Sequence, residues 1–145
     1  MILDVRKIGD PILKQRCEPV SVLEMEDDTL TRIILDMANA MRVNGGIGLA
    51  ANQIGVSKRI LVIDAGMTLA MINPVIWEFK NWVVGEEGCL SIPDEKYDVK
   101  RATWIKVKFT NTLGQEYEVV VDDHVLTRVI QHEVDHLDGI LICDK

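Results

Sequence analysis

Between Asp122 and Gly139 the chain carries a helical stretch that is apolar around most of its circumference yet holds His132, Glu133 and His136. Val125, Val129, His132, Glu133 and His136 fall on one face at the spacing of an α-helix, and Leu126, Ile130, Val134 and Leu137 form the adjoining face. Thr127, Arg128, Gln131, Asp135 and Asp138 are left towards solvent. A helix apolar over so wide an arc belongs between other elements, so two imidazoles and a carboxylate are expected inside the protein. Burying them without partners would be costly, which argues against an ordinary solvated polar face. Histidines at i and i+4 can instead chelate one metal ion, and Glu133 beside them can take a proton from water that the ion acidifies. This is the equipment of a hydrolase.

The rest of the chain has to build the walls around that helix. Its 145 residues, 48% hydrophobic, suffice for one core, and no linker or repeat divides them, so 1–145 reads as a single domain. Leu30, Ile33, Ile34, Met37, Ala38 and Met41 mark an amphipathic helix with Asp27 and Asp28 at its start and Asn44-Gly45-Gly46 at its end. Strands follow at Arg59–Ile63, Met71-Ile72, Val75–Trp77 and Thr103–Thr110. The last of these turns at Asn111–Gly114 into Tyr117, Val119 and Val121, and its Ile105, Val107 and Phe109 face one way. Asp122-Asp123 then open the histidine helix and Gly139 stops it. The expected class is α+β: antiparallel sheets packed around a central metal-binding helix, with an N-terminal amphipathic helix.

Composition removes several functions. A net charge of −7 disfavours general nucleic-acid binding. The N-terminal Met1-Ile-Leu-Asp4 stretch has an early acid and no long apolar run, so neither signal peptide nor membrane anchor is expected and the protein reads as soluble and unexported. Cys17, Cys89 and Cys143 are too few and too far apart for a disulfide framework, which fits a reducing compartment. Cys17 and Cys143 read as small apolar residues and His124 as a surface or capping residue.

Two histidines leave a tetrahedral metal short of at least one protein ligand. Cys89, in Glu86-Glu-Gly-Cys-Leu-Ser91, is the best-placed candidate, and two imidazoles, a thiolate and an open position make a catalytic set. The Gly46-Ile-Gly-Leu-Ala-Ala-Asn-Gln53 run lets another backbone or a ligand come close, and the Gln53 amide could donate to a developing oxyanion. Taken alone, that run also reads as a tight packing loop.

Together, Gly46–Gln53, Glu87-Gly-Cys-Leu-Ser91 and Gln131-His-Glu-Val-Asp-His136 resemble the three signature motifs of the peptide deformylases, in that family's order and over nearly the whole chain. The resemblance implies Cys89, His132 and His136 as ligands of one divalent ion, typically Fe(II) and replaceable by zinc, nickel or cobalt. It implies Glu133 as general base and acid, with the Gln53 side chain and the Leu90 backbone N–H on the oxyanion. The implied substrates are nascent N-formyl-methionyl peptides, giving formate and a free methionyl N-terminus. Ile47 and Val129 would line a pocket for an unbranched apolar side chain. Extended main chain near Gly45, Gly46, Gly48 and Glu87 could pair with the peptide as an added strand. Arg101 and Asp135 resemble a family pair that braces the helix.

The sequence departs from the family's pattern at Arg128, where relatives often carry an apolar residue near the substrate pocket, and at Gly85, where a larger apolar residue is frequent. It also ends soon after Gly139, without the C-terminal element that helps some members dock on the ribosome, as truncated phage or organelle-derived versions do. A monomer is expected, in the cytoplasm of a bacterium or phage-infected host, with an organelle as the alternative. A zincin-type metallopeptidase shares the two histidines and the acid but needs a third ligand downstream, where only Asp138 and Asp144 stand. A silent metal-binding module would need neither Glu133 nor Gln53.

Overall fold

A computed structural model describes residues 4–145; Met1, Ile2 and Leu3, with the part of the N-terminal reading that rests on them, lie outside the described residues. Alternating apolar residues build one five-stranded antiparallel sheet in the order β1-β2-β3-β4-β5, where the sequence had led us to expect more than one sheet. Its strands are β1 (Gly48–Ala50), β2 (Ile60–Asp64), β3 (Thr68–Cys89), β4 (Ile92–Thr110) and β5 (Glu116–Val121). The expected hairpin is present in register, with Ile105 opposite Val121 and Val107 opposite Val119. Ile105, Val107 and Phe109 are all buried.

The strands β3 and β4 run far beyond the segments that the sequence marked. They form a long ribbon in which Val83 pairs Arg101, Gly85 pairs Val99 and Glu87 pairs Tyr97. Register breaks after Ile72, Ile76 and Glu87, and left-handed backbone at Asn73, Asn81 and Asp94, bend this ribbon. Such bulges re-aim side chains and raise the local twist, so one ribbon can leave the sheet and wrap a helix.

Three α-helices complete the fold among the described residues: α1 (Val22–Met25), α2 (Asp28–Val43) and α3 (His124–Leu137). Ser21 and Glu24 form a capping box on α1, and the Asp27 carboxylate caps α2. Helix α2 buries Leu30, Met37, Ala40 and Met41 in a cluster with Leu49, Ile60, Val62 and Ile72. Asp123 caps α3 by accepting from the Val125 and Leu126 N–H groups, and Gly139, at φ +76°, follows its last turn. A Cβ at Gly139 would stand 2.6 Å from the Lys14 carbonyl oxygen, so this stop is also where the N-terminal segment crosses.

The polar arc of α3 is not solvent-facing as expected. Thr127 and Gln131 are buried, and Arg128, Asp135 and Asp138 are half-buried, whereas Val125 is exposed. The bent ribbon covers that arc and supplies polar partners. Gln131 donates to the Ala102 carbonyl at 2.8 Å and accepts from its N–H at 3.0 Å, which ties the helix to β4. Asp138 accepts from Arg59 at 2.9 Å, and Asp135 pairs with Arg101. Cys17 is buried among apolar neighbours and His124 is exposed, as read from the sequence.

Candidate metal centre

One turn of α3 carries the two imidazoles inward, and the end of β3 brings Cys89 to meet them. His132 Nε2 lies 3.2 Å from His136 Nε2, and Cys89 Sγ lies 3.3 Å from the same nitrogen. The three ligand atoms all fall within 4.8 Å of one another, with both histidines buried and the cysteine half-buried. Asp138 and Asp144, the downstream candidates of a zincin reading, pair instead with Arg59 and Lys14.

This donor set fits a metal on its own chemistry. His132 Nδ1 donates to Glu87 Oε1 at 2.9 Å, which leaves the Nε2 lone pair for the centre. Burial disfavours charge on His132, but Glu133, Cys89 and Glu87 outweigh it and lift its pKa to about 10. Burial and the positive charges of His132 and Arg101 push His136 well below the usual imidazole value. Two nitrogens and a sulfur thus crowd together at one point, and a thiolate with two imidazoles suits Fe(II), Zn, Co or Ni. Cobalt loading should give a near-ultraviolet thiolate-to-cobalt absorption band that Cys89→Ser removes; a band unchanged in that variant would take Cys89 out of the set.

Glu133 sits beside the ligands at 4% exposure, and its Oε1 has no partner among the described residues. Burial pushes its pKa up to about 7, against the pull of His132 and Arg101. Gly48 makes room for it, since a Cβ there would stand 2.7 Å from Glu133 Oε2 and 2.6 Å from Val129 Cγ1. Gly48→Ala is therefore expected to displace the carboxylate and cut turnover about 100-fold, the scale set by ångström-sized misplacement of a reacting group. Unchanged kcat in a folded Gly48→Ala protein would show that the carboxylate's position is unimportant.

Gln53 approaches from the other side, in the 3-10 turn after β1. Its Oε1 accepts from Ala50 N at 2.9 Å, so the amide is held one way round, and Nε2 donates to Ser91 Oγ at 3.1 Å and lies 3.8 Å from Cys89 Sγ. Leu90 stands at the tip between β3 and β4, its carbonyl accepting from Lys7 Nζ and its side chain packed on Gly46, where a Cβ would come within 2.8 Å. Gly45, at φ +69°, closes α2; Ile47 is half exposed, and Val129 is buried beside Gly48.

Sequence reasoning gave Glu87 a main-chain role and missed what its side chain does. At 7% exposure that carboxylate receives Arg101 Nε at 2.9 Å, Arg101 Nη2 at 3.0 Å, Arg128 Nη1 at 2.6 Å and the His132 imidazole. Burial alone would raise its pKa, but the hydrogen bonds from His132 and Arg101 prevail and hold it at about 2. Arg101 also reaches Asp135 on α3, so the bracing pair implied by the resemblance is in contact. Ser91, fully buried on Gln53, and Asn52, donating to the His136 carbonyl at 2.7 Å, were likewise missed. The sequence signal for Ser91 and Asn52 was only their place inside motifs.

Comparison with known proteins agrees with this geometry. The family model described as polypeptide deformylase matches residues 2–145. A peptide deformylase of Thermoanaerobacter pseudethanolicus is 48% identical over 142 residues, which is 97% of this chain and 87% of the relative. The crystal structure of peptide deformylase from Thermotoga maritima matches with a TM-score of 0.94 at 40% identity, covering 100% of this chain and 97% of that one. A Met-ala-ser bound class I type b peptide deformylase from Acinetobacter baumannii matches with a TM-score of 0.95 at 37% identity, covering 100% and 99%. With the family model matched over residues 2–145 and solved deformylases matched over nearly their whole length, the chain belongs to the polypeptide deformylase family.

Proposed function

We propose that this metal-dependent hydrolase, which removes the N-formyl group from N-formyl-methionyl peptides as its family does, works through Glu133 placed beside a Cys89–His132–His136 metal site. The observation that carries the reading is the buried Glu133 carboxylate, with one oxygen unpartnered, next to three converging ligand atoms. A divalent ion held by Cys89, His132 and His136 would supply Lewis acidity at neutral pH. Fe(II) is the ion we assign in the cell, with zinc, nickel or cobalt able to take its place.

The chain's own groups then move the proton and hold the charge. Glu133 takes a proton from water as the water oxygen bonds to the formyl carbon and the carbonyl π electrons move onto oxygen. The Gln53 Nε2–H, fixed by the Ala50 and Ser91 contacts, and the Leu90 backbone N–H receive that oxyanion. Glu133 next gives its proton to the amide nitrogen as the C–N bond breaks, releasing formate and the methionyl amine. Main chain at Gly45, Gly46, Gly48 and Glu87 would hold the peptide. β2 pairs β3 only as far as Ile72, so at Glu87, which β4 pairs on one side, the other edge of β3 has no strand partner among the described residues. Ile47 and Val129 would flank the methionine side chain.

Residues 1–145 are taken as one catalytic domain, a monomer acting in the cytoplasm on peptides emerging near the ribosome. No helix among the described residues is long and apolar enough to cross a membrane. The test is formate release from N-formyl-Met-Ala-Ser by anaerobically prepared Fe(II) protein. Release should stop when a chelator strips the metal and return when Fe(II) or Co(II) is restored. A fully loaded protein that releases no formate would overturn the assignment.

A further inference from the structure

On α3, Arg128 and Val129 form the layer one turn before His132 and Glu133, on the same faces, about 5.4 Å closer to the helix N-terminus. A side chain adjoining the scissile amide can leave the reacting centre along the helix in either direction. Towards the C-terminus, His136 and Leu137 are sealed at 1% and 0% exposure. Towards the N-terminus the neighbourhood is open, with Val83, Val84 and Val125 all exposed. With Ile47 and Val129 flanking the methionine side chain, as proposed above, that side chain would lie next to the Arg128 layer.

The guanidinium there is held in place but not saturated. Nη1 donates to Glu87 Oε2 at 2.6 Å and to the Val99 carbonyl at 2.9 Å, and Nη2 donates to the Val83 carbonyl at 3.2 Å. Of the five N–H groups of a guanidinium this leaves the Nε–H and one Nη2–H without a partner among the described residues, and Nε is not sealed from solvent. The plane lies against Gly85, where a Cβ would come within 2.9 Å of both Arg128 Cζ and Nη2. Arginine at 128 and glycine at 85 are thus one arrangement, because any larger residue at 85 would push the guanidinium away.

We propose that Arg128, seated on Gly85, is a specificity-determining residue that makes the methionine pocket favour a side chain tipped with a hydrogen-bond acceptor. This rests on the deformylase reading. Oxidised initiator methionine is the natural form of such a side chain, since the sulfoxide oxygen is a strong acceptor on a chain of methionine's length. Norleucine has the same length and no acceptor.

The experiment compares kcat/KM for N-formyl-Met(O)-Ala-Ser, N-formyl-Met-Ala-Ser and N-formyl-Nle-Ala-Ser in wild type, Arg128→Leu and the Gly85→Ile/Arg128→Leu pair. Binding of the three unformylated peptides to the nickel-loaded protein, read by calorimetry, gives the same ratios without turnover. The sulfoxide-to-norleucine ratio should fall about 10- to 100-fold in both variants, the range for a charged hydrogen bond. If Arg128 merely braces Glu87, all three substrates will slow together and the ratios will stay within about twofold of wild type, which overturns the proposal. Ratios that shift in binding while no formate is released by any protein would support Arg128 and sink the catalytic reading instead.

Discussion

Glu133→Gln is expected to lose formate release by a factor on the order of 1,000 while keeping its full complement of metal. The carboxylate is not among the converging ligand atoms, so the amide leaves Cys89, His132 and His136 as they were. What the amide cannot do is accept a proton from water and pass it to the leaving nitrogen. Glutamine has the shape of glutamate, so the close fit against Gly48 and Val129 is preserved and the loss cannot be ascribed to repacking. Stability should hold or rise, because a buried group with an unpartnered oxygen is replaced by one that carries no charge. Formate production in single- and multiple-turnover assays, with metal content by elemental analysis and the melting temperature alongside, separates these effects. Wild-type turnover in a fully metallated Glu133→Gln protein would falsify the role given to Glu133.

How much of this was legible beforehand depended on whether the partners were near in sequence. The two histidines and Glu133 could be read because one helical turn fixes their relation and the surrounding residues are apolar. The hairpin of Ile105, Val107 and Phe109 with Val119 and Val121 could be read because strict alternation carries its own register. The ribbon from Glu78 to Ala102 could not, since bulges and the left-handed Asn81 and Asp94 break the alternation and many of its residues face water. The polar arc of α3 was misread for the same reason, as its cover is this unread ribbon. Gln131 and Asp135 find their partners at Ala102 and Arg101, which lie 29 and 34 residues away. The side chain of Glu87 escaped notice because nothing in Glu86-Glu87 distinguishes an outward acid from one that gathers two arginines and His132. Only its place in a family motif marked the position, and the motif does not say which atoms act.

The Glu87 cluster also sets the second large effect. Arg101 is 3% exposed, gives Glu87 two hydrogen bonds and also reaches Asp135 on α3. Arg101→Met removes those contacts from a buried carboxylate and should cost about 3–5 kcal/mol, the range for breaking a buried pair from one side. The melting temperature should fall by on the order of 10 °C. Zinc affinity, measured by chelator competition, should fall about 10- to 100-fold, because Glu87 no longer holds the His132 ring in a fixed orientation. The Glu87→Leu/Arg101→Met pair separates the two consequences. Replacing both partners with apolar groups leaves no carboxylate at 87 to desolvate, so stability should largely return. The zinc affinity should stay low, since His132 Nδ1 has then lost its acceptor altogether. An Arg101→Met protein as stable and as tight for zinc as wild type would mean that Arg128 and His132 alone suffice to hold Glu87. Recovery of both properties in the paired variant would mean that the ring is oriented by its packing. If only stability recovers, the cluster has two separable tasks: neutralising a buried acid and aiming a ligand.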